Sequence, residues 1–171
     1  MRALLDRLTN PLHLVIALAC TWLIASSPWL GMYRQMPDAP GPINGSHVVL
    51  GLALLPLALV YFVACTAGAR WRLYFPWLGG QLGAVGRDLA GIARGQRPGS
   101  EGGGLFATIE GLLLLALFAA AASGAAWFLT QGSESAVLWR GHHIFAARSF
   151  AGLMLLHVVA VSMHLLDFVR D

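Results

Sequence analysis

Four long apolar stretches, at about residues 11–30, 47–68, 105–129 and 142–168, constrain this chain more than any other feature. Each is near the twenty residues that a helix needs to cross a hydrocarbon core about 30 Å thick. A helix also closes its own backbone hydrogen bonds, which hydrocarbon cannot do for it. Composition agrees, with 57% hydrophobic residues, 11% charged residues and a mean hydropathy of +0.68, outside the range of soluble domains. Little chain remains for a separate soluble unit. The expected fold class is therefore all-α, a transmembrane four-helix bundle forming one domain over residues 1–171.

Arg2 and Arg7 precede the first stretch, as they would in a signal peptide. That stretch is long for a signal sequence, carries His13 and lacks a clean small-x-small cleavage site, so it reads as a permanent helix. All eleven basic residues are arginine. Arg70, Arg72, Arg87, Arg94 and Arg97 fill the loop between the second and third stretches and Arg170 follows the fourth, whereas the other loops hold only Arg34 and Arg140. The positive-inside rule then places both termini in the cytoplasm. Trp29, Tyr33, Trp127 and Trp139 are expected in an outer aromatic belt, and Trp71, Tyr74 and Trp77 in an inner one. The net charge of +3 follows from this topology and gives no argument for nucleic acid.

The loop at 32–46 is rich in Pro and Gly and reads as irregular. Pro56 should kink the second helix. In the long inner loop Leu82, Val85, Leu89 and Ile92 recur at helical spacing, so a surface helix is expected at about 80–95, ended by Gly95 to Gly99. Gly102 to Gly104 form a flexible entry to the third spanning helix. Cys20 and Cys65 fall inside spans at different depths, which argues against a disulfide. With no Cys-x-x-Cys-His, covalent c-type haem is excluded as well.

The six histidines carry the chemistry. His143 and His157 are fourteen residues apart, which on a helix is a rise of ~21 Å and a rotation to within roughly 40° of the same face. Measured from the outer boundary, His13 lies ~25 Å deep and His157 ~22 Å deep, while His47 and His143 both sit at the outer edge. Depth thus pairs His47 with His143 and His13 with His157. Two imidazoles facing each other across helices are the usual axial ligands of a six-coordinate b-type haem, and two stacked pairs make an electron path across the bilayer. Gly51, one turn after His47, removes a side chain where a flat macrocycle would meet the helix, although small residues also serve plain helix packing. A zinc site fits poorly, because the histidines split into two layers with no Cys or carboxylate beside either.

The remaining polar groups have two readings each. A single intramembrane histidine can simply hydrogen-bond a neighbouring helix, an alternative that weakens once four residues match by depth. His142 is turned ~100° from His143 and reads as a non-ligand. Arg148, read as buried about one turn below His143, would pair with a haem propionate or else snorkel. His164 would bond a propionate or a quinone, or be an ordinary interfacial residue. Glu110 would relay protons to a quinone or pair with loop arginines.

Asn10-Pro11-Leu12-His13, Ile43-Asn44-Gly45-Ser46-His47-Val48-Val49-Leu50-Gly51 and the spacing His143, His157, His164 resemble the bacterial cytochrome b561 family. The wider superfamily includes the cytochrome b subunits of formate dehydrogenases and nickel-iron hydrogenases. The resemblance covers nearly the whole chain. It implies two non-covalent haems b in a four-helix bundle of the bacterial inner membrane, held by His13, His47, His143 and His157, with ubiquinone or menaquinone as substrate. The stand-alone branch exchanges electrons between the periplasmic side and quinone, in one case from superoxide. The large-complex branch carries them from an iron-sulfur or molybdenum enzyme. Tyr74-Phe75-Pro76-Trp77-Leu78 and the inner loop look more like that second branch, and helix 1 has His13-Leu14 where the family commonly has His-Trp.

The expected function is a di-haem cytochrome exchanging electrons with the quinone pool. The competing reading is a haem-bearing anchor for a dehydrogenase or hydrogenase-like complex, docked through the surface helix. A haem-free transporter is disfavoured because paired broken helices are not evident. Candidate partners are membrane lipid, quinone, a soluble or periplasmic redox protein (cytochrome c, iron-sulfur or molybdenum subunit) and a second copy in a homodimer.

Overall fold

The computed structural model describes residues 2–80, 82–96 and 104–170, with side chains described for 9–80, 82–96 and 104–162. Among the described residues six α-helices follow one another: α1 Arg2–Ser26, α2 Pro42–Thr66, the short α3 Trp71–Tyr74, α4 Leu82–Ala93, α5 Leu105–Leu129 and α6 Glu134–Arg170. A single 3₁₀ turn, Ser27–Trp29, follows α1, and no strand occurs among the described residues. Four helices among the described residues are long and apolar enough to cross a membrane, over Thr9–Trp29, Pro42–Thr66, Leu105–Leu129 and Glu134–Ser162.

Helix ends depart from the hydropathy reading wherever local backbone chemistry and not polarity sets the boundary. α1 begins upstream of Pro11, which sits inside it, and α2 runs unbroken past Pro56. Proline removes one backbone bond at each place without ending the helix. α2 starts at Pro42 because proline is suited to a first helical position, where its missing N–H would lack a partner anyway. The irregular loop expected to reach residue 46 therefore ends at 41. α6 starts at Glu134, eight residues before the expected entry at 142, just after a turn in which Gly132 holds φ +81°. His143 accordingly lies more than two turns inside its helix, and His47 more than one turn inside α2. The surface helix is shorter than expected at its ends. It closes in a Schellman motif, with Gly95 at φ +73°, its N–H on the Ile92 carbonyl and the Gln96 N–H on the Gly91 carbonyl. Residues 97–103, with the expected flexible glycine entry, lie outside the described set apart from Gly104.

The chain forms two compact units, Met1–Ala64 with Ala116–Phe150, and Cys65–Leu115 with Ala151–Asp171. In the first, Ile16, Cys20, Leu54, Ala58, Leu117, Ala121 and Phe150 are buried. Its α1–α2 loop is latched to the α5–α6 turn by polar contacts: Trp127 Nε1 donates to the Tyr33 carbonyl at 3.0 Å, Arg140 Nε to that of Met32 at 3.1 Å, and the Met36 N–H to Gln131 Oε1 at 2.8 Å. The Gly132 N–H donates to the Arg34 carbonyl, and the Arg140 guanidinium lies over the Tyr33 ring. Trp127, expected in the aromatic belt, is instead 7% exposed. The latch explains this, because an indole N–H that has a carbonyl partner needs no interfacial water. Trp29, Tyr33 and Trp139 are exposed.

In the second unit the Tyr74 carbonyl packs against Gly111 so closely that a Cβ there would overlap it. Asp88 of α4 accepts the Leu105 N–H at 2.8 Å, satisfying one of the orphan donors at the start of α5. Burial, then the neighbouring Cys65 and Glu110, push the Tyr74 phenol well above its ordinary range.

Candidate functional site

The first unit brings two of the six histidines together. The rings of His47 and His143 lie 6.4 Å apart between centroids with their planes at 90°, and both residues are half-buried. Distance alone does not separate a metal pair from an ordinary edge-to-face contact, which spans 4.5–7 Å. The hydrogen bonds on the rings show which nitrogens are already engaged.

His143 Nδ1 sits 2.9 Å from the Ala120 carbonyl of α5. A carbonyl only accepts, so Nδ1 carries the proton and Nε2 the lone pair. His47 Nδ1 sits 3.1 Å from the Ser26 hydroxyl at the end of α1. Each ring is thus anchored at Nδ1, leaving Nε2 as the nitrogen for a further ligand. Among the described residues no buried side-chain nitrogen or oxygen lacks a hydrogen-bond partner, so the two Nε2 atoms are not sealed in. An imidazole nitrogen binds a metal at about 2.0–2.1 Å with its ring centroid some 1.1 Å behind, so two rings on opposite sides of one iron would have centroids ~6.3 Å apart. The observed spacing fits a shared iron.

Local sequence explains why the rings stand where they do. Ser27 Oγ bonds the Ile24 carbonyl at 2.9 Å, a carbonyl that Pro28 cannot serve, and α1 ends there. Three bonds tie this end to the start of α2: Ser26 to His47, Trp22 Nε1 to Ser46 Oγ at 3.3 Å, and the Gly31 N–H to Asn44 Oδ1 at 3.2 Å. On the other side Gly124 lies one turn from Ala120, and a Cβ there would stand 3.1 Å from both Cε1 and Nδ1 of His143. Its missing side chain lets the ring reach the α5 backbone. At Gly51 an added Cβ meets nothing within 4 Å, so the α2 face one turn from His47 is open enough to receive a flat group. Among the described residues no group of three or more His, Cys, Asp or Glu could hold a metal, so a two-histidine centre would need a ligand that supplies the other donors, as a porphyrin does.

The other predicted site residues fall elsewhere. His13 is exposed in the first unit with its ring 5.9 Å from that of Tyr61. His157 is half-buried and belongs to the second unit, so the His13 and His157 pairing rests on the depth comparison. His142 is exposed, its ring against Trp139. Arg148 is exposed and not buried as expected. Five residues turn a helix by ~140°, so it leaves the face that His143 presents. The His164 side chain lies outside the described residues. Glu110 is half-buried in the second unit near Tyr74.

Ser26, Ala120 and Gly124 were not anticipated. Ser26-Ser27-Pro28 has the look of a helix end, and a lone glycine in the alanine-rich run of α5 marks close approach, but neither pattern names its partner.

The sequence profile of the prokaryotic cytochrome b561 family matches residues 5–167. No curated protein and no solved structure matches the chain. With four helices able to span a membrane and a match over nearly its whole length, the chain belongs to the prokaryotic cytochrome b561 family of membrane haem proteins that transfer electrons.

Proposed function

We propose that this cytochrome carries two haems b and exchanges electrons with the quinone pool of the bacterial inner membrane, both termini facing the cytoplasm. His47 and His143 would hold one haem, nearer the outer side, and His13 and His157 the other. Gly51 gives the first macrocycle room on α2. Bound between paired imidazoles, haem b supplies one-electron chemistry at an iron closed to oxygen. At His47 and His143 the protein's part is to fix each ring's tautomer and direction.

The observation that carries the reading is the anchored pair itself, two rings 6.4 Å apart with Nδ1 of each already engaged. A structural pair of histidines would spend its second nitrogens on protein partners too. The reading also rests on the family, whose profile spans residues 5–167.

A redox difference spectrum of the purified protein tests it, with haem counted against protein. Two haems per chain are expected, falling to one in His47→Ala and in His157→Ala, with different components lost in the two variants. A protein without b-type absorption, or variants with an unchanged spectrum, would refute it. Reduction of the isolated chain by a quinol would place the quinone reaction on this chain. Co-purification with a soluble iron-sulfur or molybdenum subunit would instead favour the anchor reading, which the exposed Leu82, Leu89 and Ile92 of α4 support.

A further inference from the structure

We propose that Ser26 is a positioning residue of the His47 and His143 site, fixing His47 in its metal-binding tautomer and coupling that ring to the last turn of α1. The inference rests on the haem reading given above.

Ser26 is 4% exposed, although it stands at a helix end followed by the exposed Ser27, Pro28 and Trp29. Its Oγ makes two contacts, 3.3 Å to the Leu23 carbonyl and 3.1 Å to His47 Nδ1. A hydroxyl has one proton. The carbonyl can only accept, so that proton points to Leu23, and towards His47 the oxygen acts as acceptor. Nδ1 of His47 is then the protonated nitrogen and Nε2 holds the lone pair. The same assignment follows on His143 from the Ala120 carbonyl. Both rings are thereby set for ligation before any cofactor arrives.

The two anchors differ in kind. His143 donates to a peptide carbonyl, and His47 donates to a hydroxyl that itself donates onward. The run from His47 N–H to Ser26 O–H to the Leu23 carbonyl is a chain in which each bond polarises the next. Leu23 lies in the final turn of α1, where unsatisfied carbonyls gather the negative end of the helix dipole. Such an acceptor raises the basicity of the opposite nitrogen. A more basic Nε2 favours ferric over ferrous iron, so Ser26 holds the potential of this haem down.

Redox titration of the haem-loaded Ser26→Ala and Ser26→Thr proteins, with haem content and low-spin electron paramagnetic resonance recorded on the same samples, tests this. Ser26→Ala should keep both haems and raise the potential of one component alone, by up to a tenfold change in ferric-to-ferrous preference, ~59 mV for one electron. Ser26→Thr, which keeps the hydroxyl, should titrate as the parent does. If the alanine variant does not accumulate, Ser26→Cys, close in size and a weak acceptor, should shift the same component in the same direction. Unmoved potentials and resonance signals in a loaded alanine or cysteine variant overturn the assignment, as do equal shifts in alanine and threonine variants. A parent protein without b-type haem refutes the underlying haem reading, whereas a loaded protein indifferent to Ser26 refutes only this inference.

Discussion

Gly124 sets how closely His143 can approach α5, and enlarging it should unseat the ring. A Cβ at this position would stand 3.1 Å from Cε1 and Nδ1 of His143, against the 3.5–4.0 Å at which carbon contacts are comfortable. In Gly124→Ala the ring must withdraw by about 0.5 Å. The 2.9 Å bond to the Ala120 carbonyl then stretches past the ordinary N–H···O range, which ends near 3.2 Å. Losing that bond costs about 1 kcal/mol. Replacing glycine by alanine inside a helix returns roughly the same amount. The fold of the haem-free protein should therefore be almost as stable as the parent, while affinity for haem at this site falls by about tenfold, the lower end of what loss of an orienting partner causes. Gly124→Val places branched methyl groups where the ring lies, an overpacking worth ~1–3 kcal/mol. It should lose one haem of two. The assay is haem-to-protein stoichiometry on detergent-purified protein, with a redox titration to identify the missing component. Gly124→Val protein that holds two haems at parental potentials would refute both the packing argument and the place given to His143.

Three further outcomes follow from the surroundings of the site. Trp127→Phe keeps the buried ring but loses the bond to the Tyr33 carbonyl, and should cost about 1 kcal/mol in reversible unfolding; an unchanged unfolding midpoint would show that the latch adds nothing. Asp88→Ala removes the acceptor for the Leu105 N–H, and hydrogen exchange at that amide should accelerate about fivefold, as expected for ~1 kcal/mol of lost capping. Tyr74 ionises above its unfolded value, so its neutral form favours the folded state. That stabilisation is fully present below about pH 10, the ordinary tyrosine value, and is lost as pH rises from there towards the folded value. Tyr74→Phe should flatten the fall of stability with alkali, measured by unfolding across that range.

Much of the architecture was legible because a bilayer imposes a length rule. The bounds of α5 follow from hydropathy without adjustment, since its apolar run and its helix coincide. α6 shows the limit of that reading. Hydropathy locates where a chain can meet lipid, but a helix continues through polar residues until glycine or proline stops its hydrogen bonding, here back to the turn at Gly132. The adjacency of His47 and His143 needed only rise per residue and a shared boundary; both helices begin upstream of the expected entries, which carries both residues into the body of their helices, and the two rings still meet. Arg148 shows the opposite case, where "one turn below" ignored the extra rotation that takes it off the face. Ser26, Ala120 and Gly124 were illegible for a different reason. A hydroxyl, a backbone carbonyl and a missing side chain acquire their roles only from the register between helices, and no periodicity within one helix encodes it.

The latch between the α1–α2 loop and the α5–α6 turn also bears on how the protein is made. One hairpin carries Ser26 and His47, and the other carries Ala120, Gly124 and His143. The ribosome completes the first hairpin well before His143 exists. At ~5–20 residues per second the 96 residues from His47 to His143 take about 5–20 s. For that interval one half of the pocket waits in the bilayer without its counterpart, and only the arrival of the second hairpin closes Trp127, Gln131 and Arg140 onto residues 32–36. On the proposed ligation, loading at this centre cannot precede the synthesis of His143 and follows the docking of the second hairpin on the first.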